Sequence, residues 1–150
     1  MRAVIISASA LGAATARELL EADHECVLID RNEETLNLLE EELDAGFILG
    51  DPTKPSVLKE ADPAHTDILF CLSESDPLNI MVGLLARSLG FRRVINKIED
   101  PELEKLCAEL GLTETIIPTH ALAIGLSGLL QGDGKGLPWL QVNKSQGTSG

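Results

Sequence analysis

Short, uninterrupted apolar runs alternate with longer helical segments along the chain, and this alternation constrains the fold more than any other feature. Six runs rich in Val, Ile and Leu are predicted to be strands: residues 3–6, 26–29, 47–49, 68–72, 94–95 and 116–117. Runs that are apolar at every position are typical of strands buried on both faces of a parallel sheet. Strand and helix in strict alternation predict right-handed βαβ units. We therefore expect an α/β, Rossmann-like, doubly wound parallel six-stranded sheet with helices on both faces and strand order 3-2-1-4-5-6.

The predicted helices have recognisable ends. Residues 11–22 and 33–43 carry apolar side chains at helical spacing, and Asn32 is expected to cap the second of these helices. Prolines stand where further helices are expected to begin, because the first turn tolerates proline best; these are Pro55, Pro77 and Pro101. Glycines expected to adopt a left-handed conformation follow two helix ends, at Gly90 and Gly111.

Two predicted helices, residues 78–89 and 121–130, are more apolar than an ordinary surface helix. Either the domain buries them, or they form a contact with a second copy. Six short strands leave limited room to bury both helices, so we expect a homodimer or higher homo-oligomer through one or both.

Length and charge restrict the class of protein. A chain of 150 residues fits one domain, which we place at residues 1–131, followed by a Gly- and Ser-rich linker or flexible tail over residues 132–150. The formal net charge of -12 excludes nucleic acid as a partner.

No apolar stretch reaches the ~18 residues that span a bilayer, and no signal peptide is evident. We expect a cytoplasmic domain with no direct membrane insertion, so that any connection to a membrane must come through a partner. Cys26 and Cys71 are expected to be small core residues.

The turn after the first strand is where a dinucleotide-binding fold carries G-x-G-x-x-G. Here the segment from Ser7 to Gly12 reads S-A-S-A-L-G, so only the third glycine is present. Asp30 ends the second strand 18 residues after Gly12, where an acid binds the ribose hydroxyls. An acid there favours NAD over NADP.

Five further features follow along the chain in a set order. The first is G-D-P-T at Gly50–Thr53, followed by Leu58 and Ala61. The others are Leu72-Ser73 with Asp76 and Asn79, Val94-Ile95 with Lys97, Asp100-Pro101, and Ile116-Ile117-Pro118 with its apolar helix. With these features in this order, residues 1–131 resemble the TrkA N-terminal (KTN/RCK) family.

The resemblance implies a regulator on the cytosolic face of a potassium channel or transporter, with an integral membrane cation transporter subunit as partner. It implies NAD(H) as the main ligand, with AMP, ADP or ATP as alternatives. Phosphates would lie at Ser9, Ala10, Leu11 and Gly12, with the Ser7 hydroxyl as a further donor. The ribose would lie at Asp30 and the adenine near Arg31 and Asp51. The distal part of the ligand would lie near Leu72 and Ser73. Lys97 would be a further phosphate contact.

The turn departs from the family where the phosphate would lie. Ser9 replaces the glycine of closest backbone approach, and its side chain would crowd a pyrophosphate. Either the hydroxyls of Ser7 and Ser9 donate to phosphate while helix amides supply the rest, or the site is degenerate and the domain is a ligand-free interaction module. A mononucleotide would need less of the crowded turn than a dinucleotide.

Catalysis has little support in the sequence. The chain has no Tyr, and His24, His65 and His120 fall in predicted loops or at a helix start. We therefore expect no catalytic residues, with a small NAD-dependent oxidoreductase as the alternative. We also expect no metal site, although Asp30, Asp51 and Asp76 at strand ends make a divalent cation conceivable.

Overall fold

The computed structural model describes residues 1–131, so the predicted linker or tail at 132–150 lies outside the described residues. A first compact unit is Met1–Ile117, and a second unit begins at Pro118. In chain order the first unit contains β1 (Arg2–Ile6), α1 (Ala10–Glu21), β2 (Glu25–Asp30), α2 (Glu33–Glu40), β3 (Gly46–Leu49), α3 (Pro55–Glu60), a single 3-10 turn (Pro63–His65), β4 (Ile68–Cys71), α4 (Asp76–Ser88), β5 (Val94–Lys97), α5 (Glu102–Glu109) and β6 (Thr115–Ile116). The second unit contains α6 (Pro118–Leu130).

The six strands form one sheet in the order β3-β2-β1-β4-β5-β6, and every neighbouring pair is parallel. The predicted Rossmann-like architecture and strand order are therefore confirmed. Ile6 lies opposite Ile29 of β2 and Cys71 of β4, so these three strands end together. Strand order reverses between β1 and β4, which makes this edge the topological switch point of the sheet.

Alternate residues of the central strand face two separate cores. Val4 packs with Leu58 of α3 and Val82 of α4. Ile5 packs on the opposite face with residues of α1 and α2, among them Ala16. Burial of each large aliphatic side chain contributes about 1.5–3 kcal/mol to folding, so the continuous apolar runs account for the two-sided sheet.

The structure treats the two apolar helices differently. On α4, Val82 belongs to the core under the sheet, while Ile80 and Leu84 pack against a third cluster at α5. Most apolar side chains of α4 are therefore packed within the domain, while Met81 is exposed. On α6, by contrast, Leu122, Ile124 and Leu126 are exposed.

Most predicted helix ends are found within a few residues of their expected positions. The Asn32 side chain accepts a hydrogen bond from the Thr35 amide, as expected of an N-cap. Gly90 and Gly111 have φ of +93° and +83°, the left-handed values that glycine tolerates best. Helix α4 begins two residues earlier than predicted because Ser75 caps it and Pro77 lies in its first turn.

All three cysteines of the chain lie in the described part, and all three are free and buried. Burial raises the pKa of the Cys71 thiol. The prediction that Cys26 and Cys71 are small core residues is confirmed.

Candidate functional site

The turn between β1 and α1 is tightly packed against the helix that follows it. Ser7 has φ of 83°, a left-handed value that is uncommon outside glycine, and its amide donates to the Ile29 carbonyl. A Cβ on Gly12 would lie 2.1 Å from the Ser7 carbonyl oxygen. Gly12 therefore performs the close helix–strand packing expected of the third glycine in the motif.

Ser9 is the N-cap of α1, and its hydroxyl makes two hydrogen bonds. The Oγ atom accepts from the Gly12 amide at 3.2 Å and donates to the Leu72 carbonyl at 3.0 Å. The first bond satisfies one of the free amides that every helix start leaves. The second joins the β1–α1 turn to the loop that follows β4.

Three amides at the start of α1 remain open. Among the described residues, no hydrogen-bond acceptor is found for the amides of Ser9, Ala10 and Leu11. The first turn of α1 contains no acidic residue. Open amides at a helix start, with the helix dipole behind them, favour an anion such as phosphate. Of the four predicted phosphate positions, only the Gly12 amide already has a partner, the Ser9 hydroxyl.

Asp30 connects the two loops at the ends of β1 and β2. Its carboxylate accepts the Ala8 amide at 2.7 Å through Oδ2 and the Asn32 amide at 2.8 Å through Oδ1. An ionised carboxylate has about four lone-pair sites, so capacity remains for two hydroxyl donors. This geometry is compatible with the ribose contact predicted for Asp30.

A crevice of about 160 Å³ opens beside this carboxylate. It brings together three of the predicted site residues, Ser7, Asp30 and Arg31. Its remaining lining is apolar and comes from Ile6, Ile29, Pro52 and Leu78. Sequence reasoning did not assign Pro52 and Leu78 to the site. Pro52 lies inside the G-D-P-T signature, which is the signal that would have found it.

Asp51, predicted near the adenine, uses its side chain to shape its own loop. Oδ1 accepts from both the amide and the hydroxyl of Thr53, at 2.9 and 2.7 Å. These hydrogen bonds, with Arg31 and Lys54 nearby, hold the pKa of the Asp51 carboxyl below its usual range. The Asp and Thr of the signature therefore build the turn that presents Pro52.

Two residues predicted near the distal part of the ligand, Leu72 and Ser73, are buried and bonded to the protein, and so is Lys97, which was predicted to contact a phosphate. Leu72, Ser73 and Lys97 are only 5%, 6% and 7% exposed. The Ser73 hydroxyl donates to Asn79 Oδ1 at 2.7 Å, and Lys97 Nζ lies 3.1 Å from the Glu99 carboxylate. The structure thus places these three residues outside the lining of the crevice that contains Asp30.

The conceivable cation site finds no support. Both carboxylate oxygens of Asp76 accept backbone amides, from Glu99 and Asp100, each at 2.9 Å. Asp76 therefore holds the loop before α5. Within residues 1–131, no group of three or more His, Cys, Asp or Glu residues is arranged to hold a metal ion.

None of the helices in the described part of the chain has the length and apolar character needed to span a bilayer. The longest are α4 and α6, with 13 residues each.

Comparison with known proteins adds relatives by sequence. The chain is 29% identical over 131 residues to the Trk system potassium uptake protein TrkA homolog of Methanothermobacter thermautotrophicus, covering 87% of this chain. It is 30% identical over 131 residues to the TrkA homolog of Archaeoglobus fulgidus. The chain spans 60% of the length of the first relative and 30% of the second.

Solved structures share the fold at lower identity. The NAD(P)-binding domain of an exopolyphosphatase-related protein from Archaeoglobus fulgidus superposes with a TM-score of 0.79 at 21% identity, covering 87% of this chain and 97% of that one. A GsuK channel bound to NAD superposes with a TM-score of 0.70 at 24% identity, covering 78% of this chain and 21% of that one. The Kef C-terminal domain of Shewanella denitrificans in its AMP-bound form superposes with a TM-score of 0.71 at 16% identity, covering 89% of this chain and 84% of that one.

A family model provides the assignment. The model of the TrkA-N domain matches residues 3–118, which include the whole sheet except Arg2 at the start of β1, and the whole β1–α1 turn. This chain therefore belongs to the TrkA-N domain family.

Proposed function

We propose that this chain is a regulatory domain that binds NAD(H) or an adenine nucleotide and controls potassium or other cation transport through a membrane partner. The observation that carries the proposal is the conjunction, at one edge of the sheet, of three open α1 amides and the Asp30 crevice. Membership of the TrkA-N family and the potassium uptake relatives support the regulatory part.

Each part of the ligand has a candidate position. A phosphate would accept from the amides of Ser9, Ala10 and Leu11, where the helix dipole also favours it. The ribose would donate to the free lone pairs of Asp30, and the adenine would lie in the apolar part of the crevice near Pro52 and Arg31. Lys97 is a weaker phosphate candidate, because Glu99 already pairs with it.

This role requires no chemical step by the protein, and we assign no catalytic residue. Regulation instead requires two geometries of an assembly that bind the nucleotide with different affinity. We propose that copies of the chain associate through α6, whose exposed leucines provide an apolar surface. The change in assembly would then reach the transporter on the cytosolic side.

Isothermal titration of the 150-residue chain with NADH, AMP, ADP and ATP tests the binding. Asp30→Ala removes the ribose acceptor and releases the Ala8 amide, so we expect nucleotide affinity to fall roughly tenfold or more. Asp67→Ala is the matched control, because Asp67 also accepts one strand-end amide, from Arg2 at 2.7 Å, at the opposite edge of the sheet.

The control should bind nucleotide as the wild type does, although it is expected to unfold at a lower temperature. Equal affinity in the wild type and Asp30→Ala would remove Asp30 from the site. No heat with any of the four nucleotides would leave the ligand-free interaction module as the function of the domain.

A further inference from the structure

We infer that Ser9 makes this site selective for an adenine mononucleotide over a dinucleotide such as NAD(H). The inference rests on the proposed function, since it concerns which ligand the same edge of the sheet accepts. It follows from the side chain that lies between the two halves of the predicted site.

The Ser9 side chain crosses the switch point of the sheet. Its Oγ is held at 3.2 Å from the Gly12 amide and at 3.0 Å from the Leu72 carbonyl, so it joins the start of α1 to the end of β4. A dinucleotide extends across the crevice where strand order reverses, which here lies between β1 and β4. Its pyrophosphate must approach the backbone at the second glycine position, which Ser9 occupies.

The two sides of the Ser9 side chain differ in the groups that a ligand can contact. On the β2 side, the crevice of about 160 Å³ presents the Asp30 carboxylate and apolar walls. On the β4 side, Leu72 and Ser73 are buried and their polar atoms bond to Ser9 and Asn79. A nicotinamide half would have to break these bonds to reach the protein, and their loss would oppose its binding.

A mononucleotide can bind without breaking these hydrogen bonds. With its ribose at Asp30, its phosphate reaches the amides of Ser9, Ala10 and Leu11 from the β2 side. The Ser9 hydroxyl can then keep both of its hydrogen bonds. The phosphate group ends at these amides, so nothing has to pass the Ser9 side chain.

The test compares AMP and NADH by isothermal titration against the wild-type chain and Ser9→Gly. Glycine is an accepted N-cap residue that replaces serine with little loss of stability, so the variant should fold. We expect the wild type to bind AMP roughly tenfold or more tighter than NADH, and Ser9→Gly to narrow this ratio to about threefold or less.

Ser75→Gly is the matched control. Ser75 caps α4 as Ser9 caps α1, accepting from the Leu78 amide at 3.3 Å. It should keep the wild-type ratio. Wild-type affinity for NADH equal to that for AMP, or an unchanged ratio in Ser9→Gly, would overturn the selectivity and leave the proposed function standing. If the wild type binds neither ligand, and ADP and ATP also give no heat of binding, the proposed function itself would be excluded.

Discussion

Gly12, Ser9 and Ser7 show which positions of a glycine-rich turn have a steric need for glycine. Gly12 cannot carry a side chain without contacting the Ser7 carbonyl. Ser9 has extended backbone angles, with φ of -62°, which any residue adopts. Ser7 is left-handed, and this strain costs a non-glycine residue about 1–2 kcal/mol. The turn therefore keeps glycine where atoms collide and tolerates serine elsewhere.

Replacing Gly12 by alanine should be among the most destabilising single changes in the turn. The added Cβ would lie 2.1 Å from a backbone oxygen, so α1 or the turn must move. We expect a loss of about 2–3 kcal/mol or more in the free energy of unfolding, measured by urea denaturation.

The control for this change is Gly128→Ala in α6, where an added Cβ meets nothing within 4 Å. Alanine is the better helix former there by up to about 1 kcal/mol, so this variant should lose no stability. Equal losses in the two variants would contradict the steric role of Gly12.

Only part of the site was predictable residue by residue. Ser7, Asp30 and Arg31 follow strands that were evident in the sequence, and parallel strands bring their carboxyl ends to one edge. The contribution of Leu78 to the crevice depends on how α4 packs, which no local pattern encodes. The engagement of Ser73 likewise depends on the tertiary contact between the loop after β4 and Asn79 of α4, so the sequence did not show that the Ser73 hydroxyl is already hydrogen-bonded within the protein.

At the scale of elements, one buried asparagine of α4 joins the loop after β4 to strand β5. The Asn79 side chain accepts from the Ser73 amide and hydroxyl and donates to the carbonyls of Ser73 and Lys97, all within 2.7–3.0 Å. Its own carbonyl accepts from Asn96. Through these bonds α4 holds the loop after β4 and the end of β5 at the edge that carries the switch point.

We predict that Asn79→Ala lowers the free energy of unfolding by about 2–5 kcal/mol, because it leaves several buried polar groups without partners. Asn37→Ala, on the exposed face of α2, should change it by no more than about 0.5 kcal/mol. Denaturant unfolding of the three proteins gives the comparison. A loss in Asn79→Ala no larger than in the control would mean that the network adds nothing to stability.

The elements themselves were more predictable than their ends. The strands follow from side chains such as Ile5 and Leu69, which are fully buried in the sheet. The observed ends of some elements differ from the predicted ends by a few residues, where a side-chain hydrogen bond lies at the end of the element. Leu72 leaves β4 and its carbonyl accepts from Ser9, while Ser75 starts α4 before Pro77.

At the scale of the whole molecule, α6 exposes more large apolar side chains than any other element within residues 1–131. Leu122 and Leu126 are 52% and 51% exposed, and they lie with Leu129 on one helical face. A helix of 13 residues is marginal in water without a surface to pack on. This is the physical basis of the association proposed above.

We predict that Leu122→Glu/Leu126→Glu abolishes self-association, because the charges would be desolvated at the contact. Light scattering after gel filtration should show a dimer or larger assembly for the wild type and a monomer for the variant. Leu38→Glu is the control, since Leu38 is 58% exposed on α2 and should leave the assembly intact. A monomeric wild type at tens of micromolar would exclude α6 as a homotypic contact.

The double hydrogen bond at Asp30 has a kinetic consequence for a domain of this kind. Because one carboxylate already fastens the amides of Ala8 and Asn32, the two loops around the crevice are set in place when the chain folds. A nucleotide that binds as proposed would therefore find loops that need little rearrangement, and pre-organised sites bind their ligands faster than sites that must first change shape. Such a sensor would follow rises and falls in its signal without a slow step of its own.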